Sequence, residues 1–424
     1  MLHVVKISKG KATFCCRYVK THKYEVESEI GYSVVPTRAF LIAARVFIAR
    51  QFDPVRHGFG VANTNVALFA GRLFAMCESD LPYEIKVTED GDVITLGRHD
   101  FNSTEAAFVR MTAHPKIDLE TGDAFAYRYG PTRPFLTFHR IDRMGRKQKD
   151  LPIFSKTDCT VVHDFGITEN YAVFPDSQLV INPTWVMRGR DSPVGVDFSK
   201  IPRVGIIPKY AVDGCEMRWI DVSGFNMFHL INAWEEDGGN TIVMVATNSW
   251  KVEHVIKKIE CSDLMLEKVT IDVKTKSVKR RLLSADGRLH EFVTINPAYA
   301  NKKNRYVYAA VIDGSALVGV EKLDLSLTEE GDGDCTVARR LYRQGSYSSE
   351  SVFVAKDPNN PTAEEEDDGY LITYVHDKNT QEFKFLVMDA KSPNLDIIAA
   401  VKLPQRIPSG LHGLFVSESD LNKL

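Results

Sequence analysis

The sequence predicts an all-β propeller. Three observations lead there. Short β-prone runs alternate with turn signals along most of the chain, no Pro/Gly/Ser linker divides its 424 residues, and four histidines stand in apolar settings at blade-like intervals. These are His114 (Met111-Thr112-Ala113-His114-Pro115-Lys116), His163 (Val161-Val162-His163-Asp164-Phe165), His229 (Asn226-Met227-Phe228-His229-Leu230-Ile231) and His412 (Gly410-Leu411-His412-Gly413-Leu414-Phe415). Successive members lie 49, 66 and 183 residues apart. A four-stranded blade takes roughly 40–50 residues, so the gaps read as one blade, one blade and about three. Strands lining a propeller axis converge there, and residues far apart in sequence can meet; a β-sandwich would not bring them together so easily. Residues 1–424 are accordingly read as one domain.

Taken in order, Leu2-His3-Val4-Val5 already has the composition of a strand. Helical periodicity is rare. Its best case is Arg38 to Phe52, where Phe40, Leu41, Ala44, Phe47, Ile48 and Phe52 share one face. Tyr83 to Val87, the turn Glu89-Asp90-Gly91-Asp92 and Val93 to Leu96 form a predicted hairpin. Phe135 to Ile141, Met144-Gly145 and Asp150 to Phe154 repeat the pattern, as do Lys268 to Asp272 with Ser277 to Leu283, and Leu371 to His376 with Phe383 to Asp389. A second short helix is predicted over Ser249 to Ile256, so the helices amount to a small cap. Glu364 to Asp368 is an acidic run in a loop containing Pro and Asn, read as a solvated insertion.

Composition narrows the function. A net charge of −3 gives no general attraction to nucleic acid. The seven cysteines are scattered without a C-x-x-C pair, which argues against a disulfide framework and a thiolate zinc site. No run reaches the eighteen or so apolar residues of a membrane span. No signal or transit peptide is visible ahead of the first strand.

A lone strand histidine is usually a hydrogen-bonded core residue; a set of four suggests a metal. Neutral imidazoles suit Fe, Zn, Cu or Ni, and a closed structural zinc site would normally be rich in cysteine. Each ligating ring should donate its second N–H to an orienting partner. Glu78, Glu291 and Glu350 fit that role, because each is an acidic residue inside or beside an apolar run. The other eight histidines (3, 22, 57, 99, 139, 254, 290 and 376) are read as surface or edge positions.

Several blocks resemble the carotenoid cleavage oxygenase family, in its plant plastid branch. They include Gln51-Phe52-Asp53-Pro54-Val55-Arg56, Glu78-Ser79-Asp80-Leu81-Pro82-Tyr83 and Thr112-Ala113-His114-Pro115-Lys116. Val162-His163-Asp164-Phe165, Phe228-His229-Leu230-Ile231-Asn232-Ala233-Trp234-Glu235-Glu236 and Leu403-Pro404-Gln405-Arg406-Ile407-Pro408 continue the series. The resemblance implies a seven-bladed propeller holding one Fe(II) ion on His114, His163, His229 and His412, with Glu78, Glu291 and Glu350 behind them. Relatives carry a long stretch before the block that Met1-Leu2-His3 resembles, so a first blade short of strands is expected.

The implied activity is oxidative cleavage of one double bond of a carotenoid or apocarotenal by dioxygen, in a plastid. Cleavage of a 9-cis-epoxycarotenoid ranks second, on the wording of Phe225-Asn226-Met227-Phe228-His229 and Ser177-Gln178. A catalytically dead carotenoid-binding propeller is the reading from another class. Because carotenoids partition into lipid, peripheral contact with a membrane or lipid droplet is expected. Phe40, Leu41 and Phe47 are its candidate residues, with Arg45 and Arg50 placed to reach headgroups.

Overall fold

The turns are where the chain first commits to its topology. Gly91 and Gly145 take φ of 88° and 76°, values an L side chain resists, and each closes a hairpin that the turn residues predict. The structure, a computed structural model, describes residues 1–33, 60–105, 108–190, 192–257, 263–285, 287–328, 333–358, 365–408 and 410–424. The predicted helix Arg38 to Phe52, with Phe40, Leu41 and Phe47, lies outside them. The predicted second helix is present as Val252–Lys257.

The strands form antiparallel sheets that follow one another along the chain. Blades 1 to 6 occupy residues 65–98, 116–152, 166–221, 227–282, 289–341 and 346–402; five have four strands and the sixth has five. Blade 3 also carries a small hairpin, Leu179–Ile181 with Val194–Val196, as an excursion between its second and third strands. This is a propeller, but the described residues form six blades rather than the seven that the resemblance implies. Among the described residues, the remaining sector holds the hairpin Leu2–Ser8 with Lys11–Arg17. Two described strands cannot make a four-stranded blade.

That hairpin nevertheless completes a ring of apolar interfaces. Each core cluster lies between two neighbours: Phe74 and Met76 of blade 1 meet Ala124 and Ala126 of blade 2, and Phe125 and Phe138 meet Phe165 and Phe174 of blade 3. Val173 and Ile206 meet Ile242 and Met244 of blade 4. Trp234 and Val243 meet Val307 and Ala309 of blade 5, and Tyr308 and Val320 meet Phe353 and Leu371 of blade 6. Val5 and Phe14 of the hairpin pack on Phe383 and Phe385 of blade 6. Leu2 and Val4 pack on Leu73 and Tyr83 of blade 1. Strand alternation explains this: residues i and i+2 face one neighbouring sheet and i+1 faces the other, so both faces of a blade are apolar.

Other sequence readings change. The helix His22–Ile30 has no amphipathic signal to betray it; Thr21 caps its start by accepting from the Tyr24 N–H at 3.2 Å, and Gly31, at φ 82°, ends it. His139 and His290 are buried rather than at the surface. His290 Nε2 meets Glu321 Oε2 at 2.7 Å, reaching across the intervening strand of blade 5. The acidic run is not simply solvated. Glu366 accepts the backbone N–H groups of Arg305 and Tyr306, both at 2.7 Å, and buried Asp367 pairs with Lys322.

Candidate metal centre

The innermost strand of each blade, or the turn leading into it, supplies the axis. His114 directly precedes the inner strand of blade 2 (Lys116–Ile117), and His163 lies just before that of blade 3 (Gly166–Ile167). His229 is on the inner strand of blade 4 (Met227–Glu236), where the pairing register slips on both sides of Leu230. His412 comes from the segment after blade 6. Bulges of this kind re-aim a side chain out of the regular pleat. The His229 N–H leaves the sheet ladder to donate to Thr247 Oγ1 at 3.0 Å, and the His114 N–H donates to Thr112 Oγ1 at 3.0 Å.

The four rings meet. Ring centroids of His114 stand 4.8, 5.1 and 4.9 Å from those of His163, His229 and His412, and His229 is 5.0 Å from His412. One nitrogen each from His114, His229 and His412 lies within 4.8 Å of the others, and His163 Nε2 is 3.1 Å from His229 Nε2. Glu78, Glu291 and Glu350 stand behind three of the rings. Glu78 Oε1 bonds His163 Nδ1, Glu291 Oε1 bonds His229 Nδ1, and Glu350 Oε1 lies 3.0 Å from His412 Nδ1. Glu78 is itself held by the Tyr129 hydroxyl at 2.9 Å, and Glu350 by the Gly413 N–H at 2.8 Å.

These contacts fix proton positions. A carboxylate at Nδ1 selects the Nδ1–H tautomer, which leaves Nε2 a bare lone pair. His163 Nε2 and His229 Nε2 then face each other, an arrangement that a proton or a metal ion held between them makes favourable. Metal–imidazole bonds of about 2.0–2.1 Å set at right angles place neighbouring nitrogens about 3 Å apart, which the observed contact matches. His114 Nε2 is buried without any hydrogen-bond partner among the described residues. The residues present therefore fit a metal ion bound by imidazole alone.

Electrostatics agree with that fit. Burial, followed by the charge of neighbouring imidazoles, holds His114 and His229 well below the usual histidine range, so they stay neutral and ready to ligate. At His163 and His412 burial also favours the neutral form, but Glu78 and Glu350 more than offset it and the net direction is upward. Burial pushes Glu291 up to about 7. Two aromatic rings flank the cluster: Phe228 stacks on His163 at 4.7 Å, and Phe292, with a φ of 50°, lies 5.6 Å from His412. Phe292 and Thr247 carry no sequence signal that marks them, since both sit in ordinary strand composition, while Thr112 and Phe228 are marked only by the histidine blocks that contain them.

With the geometry in hand, comparison with known proteins is informative. A family model described as retinal pigment epithelial membrane protein matches residues 1–417. The chain is 52% identical, over its whole length and 72% of the relative's, to a probable carotenoid cleavage dioxygenase 4, chloroplastic, of Arabidopsis thaliana. This chain belongs to the carotenoid cleavage oxygenase family. By that membership it is an enzyme of the dioxygenase class. A zeaxanthin 7,8(7',8')-cleavage dioxygenase of Crocus sativus is 46% identical over 88% of this chain and 99% of its own length. The rice 9-cis-epoxycarotenoid dioxygenase, chloroplastic, is 47% identical over 96% of this chain and 64% of its own. Among solved structures, a lignostilbene dioxygenase of Pseudomonas brassicacearum superposes with a TM-score of 0.78 at 20% identity, covering 96% of this chain and 85% of that one. That likeness concerns the fold.

Proposed function

We propose that this chain is an iron(II)-dependent dioxygenase that cleaves one double bond of a carotenoid or apocarotenal into two carbonyl products. The observation that carries the reading is the convergence of four imidazoles, with His163 Nε2 facing His229 Nε2 and His114 Nε2 buried without a hydrogen-bond partner among the described residues. His114, His163, His229 and His412 would hold the ion, which when bound supplies the activation of dioxygen. The ligand set is neutral, so it leaves the ion's positive charge undiminished. Glu78, Glu291 and Glu350 hold the rings in orientation and tautomer. Phe228 and Phe292 offer apolar faces beside the cluster, suited to a polyene and not to a hydrated substrate. Adding O2 across a C=C bond to give two C=O groups needs no net proton transfer, which accords with the absence of a dedicated acid or base in this reading.

The names of the Arabidopsis and Crocus relatives support carotenoid as substrate and the plastid as location. The rice relative makes a 9-cis-epoxycarotenoid the second candidate substrate. Incubating the iron-reconstituted chain with β-carotene, an apocarotenal and a 9-cis-epoxycarotenoid, and following colour and product masses, tests the proposal. Iron-dependent bleaching with carbonyl products is expected. Retention of intact carotenoid by the iron-loaded chain would make it a binding protein instead. Lipid contact through Phe40, Leu41 and Phe47 belongs to the same reading; serine at all three should weaken liposome binding while iron content holds, and unchanged binding refutes it.

A further inference from the structure

The loop–strand junctions that carry three of the histidines are joined by one ion pair. Lys116 is two residues beyond His114, Asp164 follows His163, and Leu230 follows His229. The Lys116 ammonium lies 2.9 Å from Asp164 Oδ1 and 3.2 Å from Oδ2, and it donates to the Leu230 carbonyl at 3.1 Å. Asp164 accepts the Leu230 N–H on Oδ2 at 2.8 Å and the Phe165 N–H on Oδ1 at 2.7 Å. Both backbone polar groups of Leu230 thus bond to this pair, at the point where the blade 4 ladder slips register. Those contacts keep the bulge from relaxing into regular pairing, and the bulge presents His229.

The surroundings leave little slack. Asp164 is 2% exposed, and a Cβ on Gly166 would lie 2.0 Å from Leu230 Cδ2, so the inner strands of blades 3 and 4 touch nearly backbone to side chain. Blade 5 joins the same girdle: Asn301 donates to the Ile117 carbonyl at 3.0 Å, and its N–H donates to Asn232 Oδ1 at 2.8 Å. A displaced Asp164 would let three ligand-bearing segments move independently.

We infer that Lys116 and Asp164 are positioning residues, a clip that sets the mutual spacing of His114, His163 and His229 for the metal. The inference rests on the metal reading above. It differs from an ordinary stabilising ion pair in what it controls. A merely structural pair lowers the melting temperature when broken but leaves the affinity and spectrum of bound metal alone. The clip governs both, because ligand spacing decides how well the ion is met.

The experiment uses the full chain loaded with Co(II), whose visible absorption reports coordination geometry. Asp164→Asn and Lys116→Met should each weaken Co(II) binding on the order of 10–100-fold and shift or dim the visible bands. The double variant should be no weaker than the worse single, since one pair is being removed. Lys322→Met, which breaks the buried pair with Asp367 between blades 5 and 6, should lower the melting temperature with Co(II) affinity and spectrum unchanged. Lys116→Met leaves both backbone bonds of Asp164 in place and so preserves a folded variant if Asp164→Asn fails. Loss of melting temperature without change in Co(II) affinity or spectrum in the Lys116 variant overturns the clip while the metal reading stands. An unaltered chain that takes up no Co(II) overturns both.

Discussion

Two buried polar clusters in this molecule are built from similar materials and differ in completeness. In blade 3, Asp176 is wholly buried, yet every acceptor site is filled. Lys156 and Thr160 bond Oδ1, while Lys200, at 3.0 Å, and Arg203, at 2.6 Å, bond Oδ2. Burial alone would raise that carboxyl, but the lysines and arginine hold it well below the usual carboxylate range. On the axis, each of three carboxylates bonds one ring Nδ1, and the imidazoles in front of them turn their other nitrogens toward one another. The first cluster satisfies itself. The second needs a cation, and that difference separates a structural charge cluster from a site.

The largest effect should come from removing a ligand. His163→Ala is expected to abolish iron binding and cleavage, because it vacates a ligand position and leaves Glu78 without its ring. Full iron occupancy and activity in that variant would place His163 with ordinary core histidines. Breaking the self-satisfied cluster should do the reverse. Lys156→Met should cost about 3–5 kcal/mol in denaturant unfolding, as loss of one partner from a buried pair does, with iron content unchanged. A variant that kept its stability but lost iron would collapse the distinction drawn above.

A smaller, pH-dependent effect sharpens the comparison from a third position. His139 is buried against Phe108, and neither ring nitrogen has a partner among the described residues. Burial, aided by the charge of Lys147, lowers its pKa to about 3. The unfolded chain protonates this ring near pH 6.5 while the folded chain does not. Stability from His139 is therefore present above that pH and lost as pH falls toward about 3. The slope is at most about 1.4 kcal/mol per pH unit. His139→Phe should flatten the acid limb of the unfolding curve, and an unaltered limb would show that His139 ionises freely when folded.

Much of this was legible in the residues because the relevant signals are local. Gly91 and Gly145 announce their hairpins, and alternating apolar strands announce blades covered on both faces. The four histidines stand out because each sits in an apolar run where a polar ring needs a reason. What stayed illegible depends on pairing across the chain. Whether Leu2–Ser8 and Lys11–Arg17 belong to a full blade is decided by strands elsewhere, and the count fell from seven to six. Glu366 and Asp367 look solvated until Arg305, Tyr306 and Lys322, some 60 and 45 residues away, are brought beside them. The Lys116–Asp164 pair was in plain view inside two motifs, but nothing in either motif says that they meet.

Iron K-edge X-ray absorption on the reconstituted chain tests the central claim most directly. The account predicts one tightly bound iron per chain with a shell containing four imidazole nitrogens at about 2.1 Å, recognisable by the outer-shell scattering of the rings. That scattering should drop by one ring in His114→Ala, the variant lacking the histidine whose buried Nε2 has no partner among the described residues. A shell of oxygens without imidazole scattering, unchanged by the substitution, would show that the four histidines do not form the metal centre.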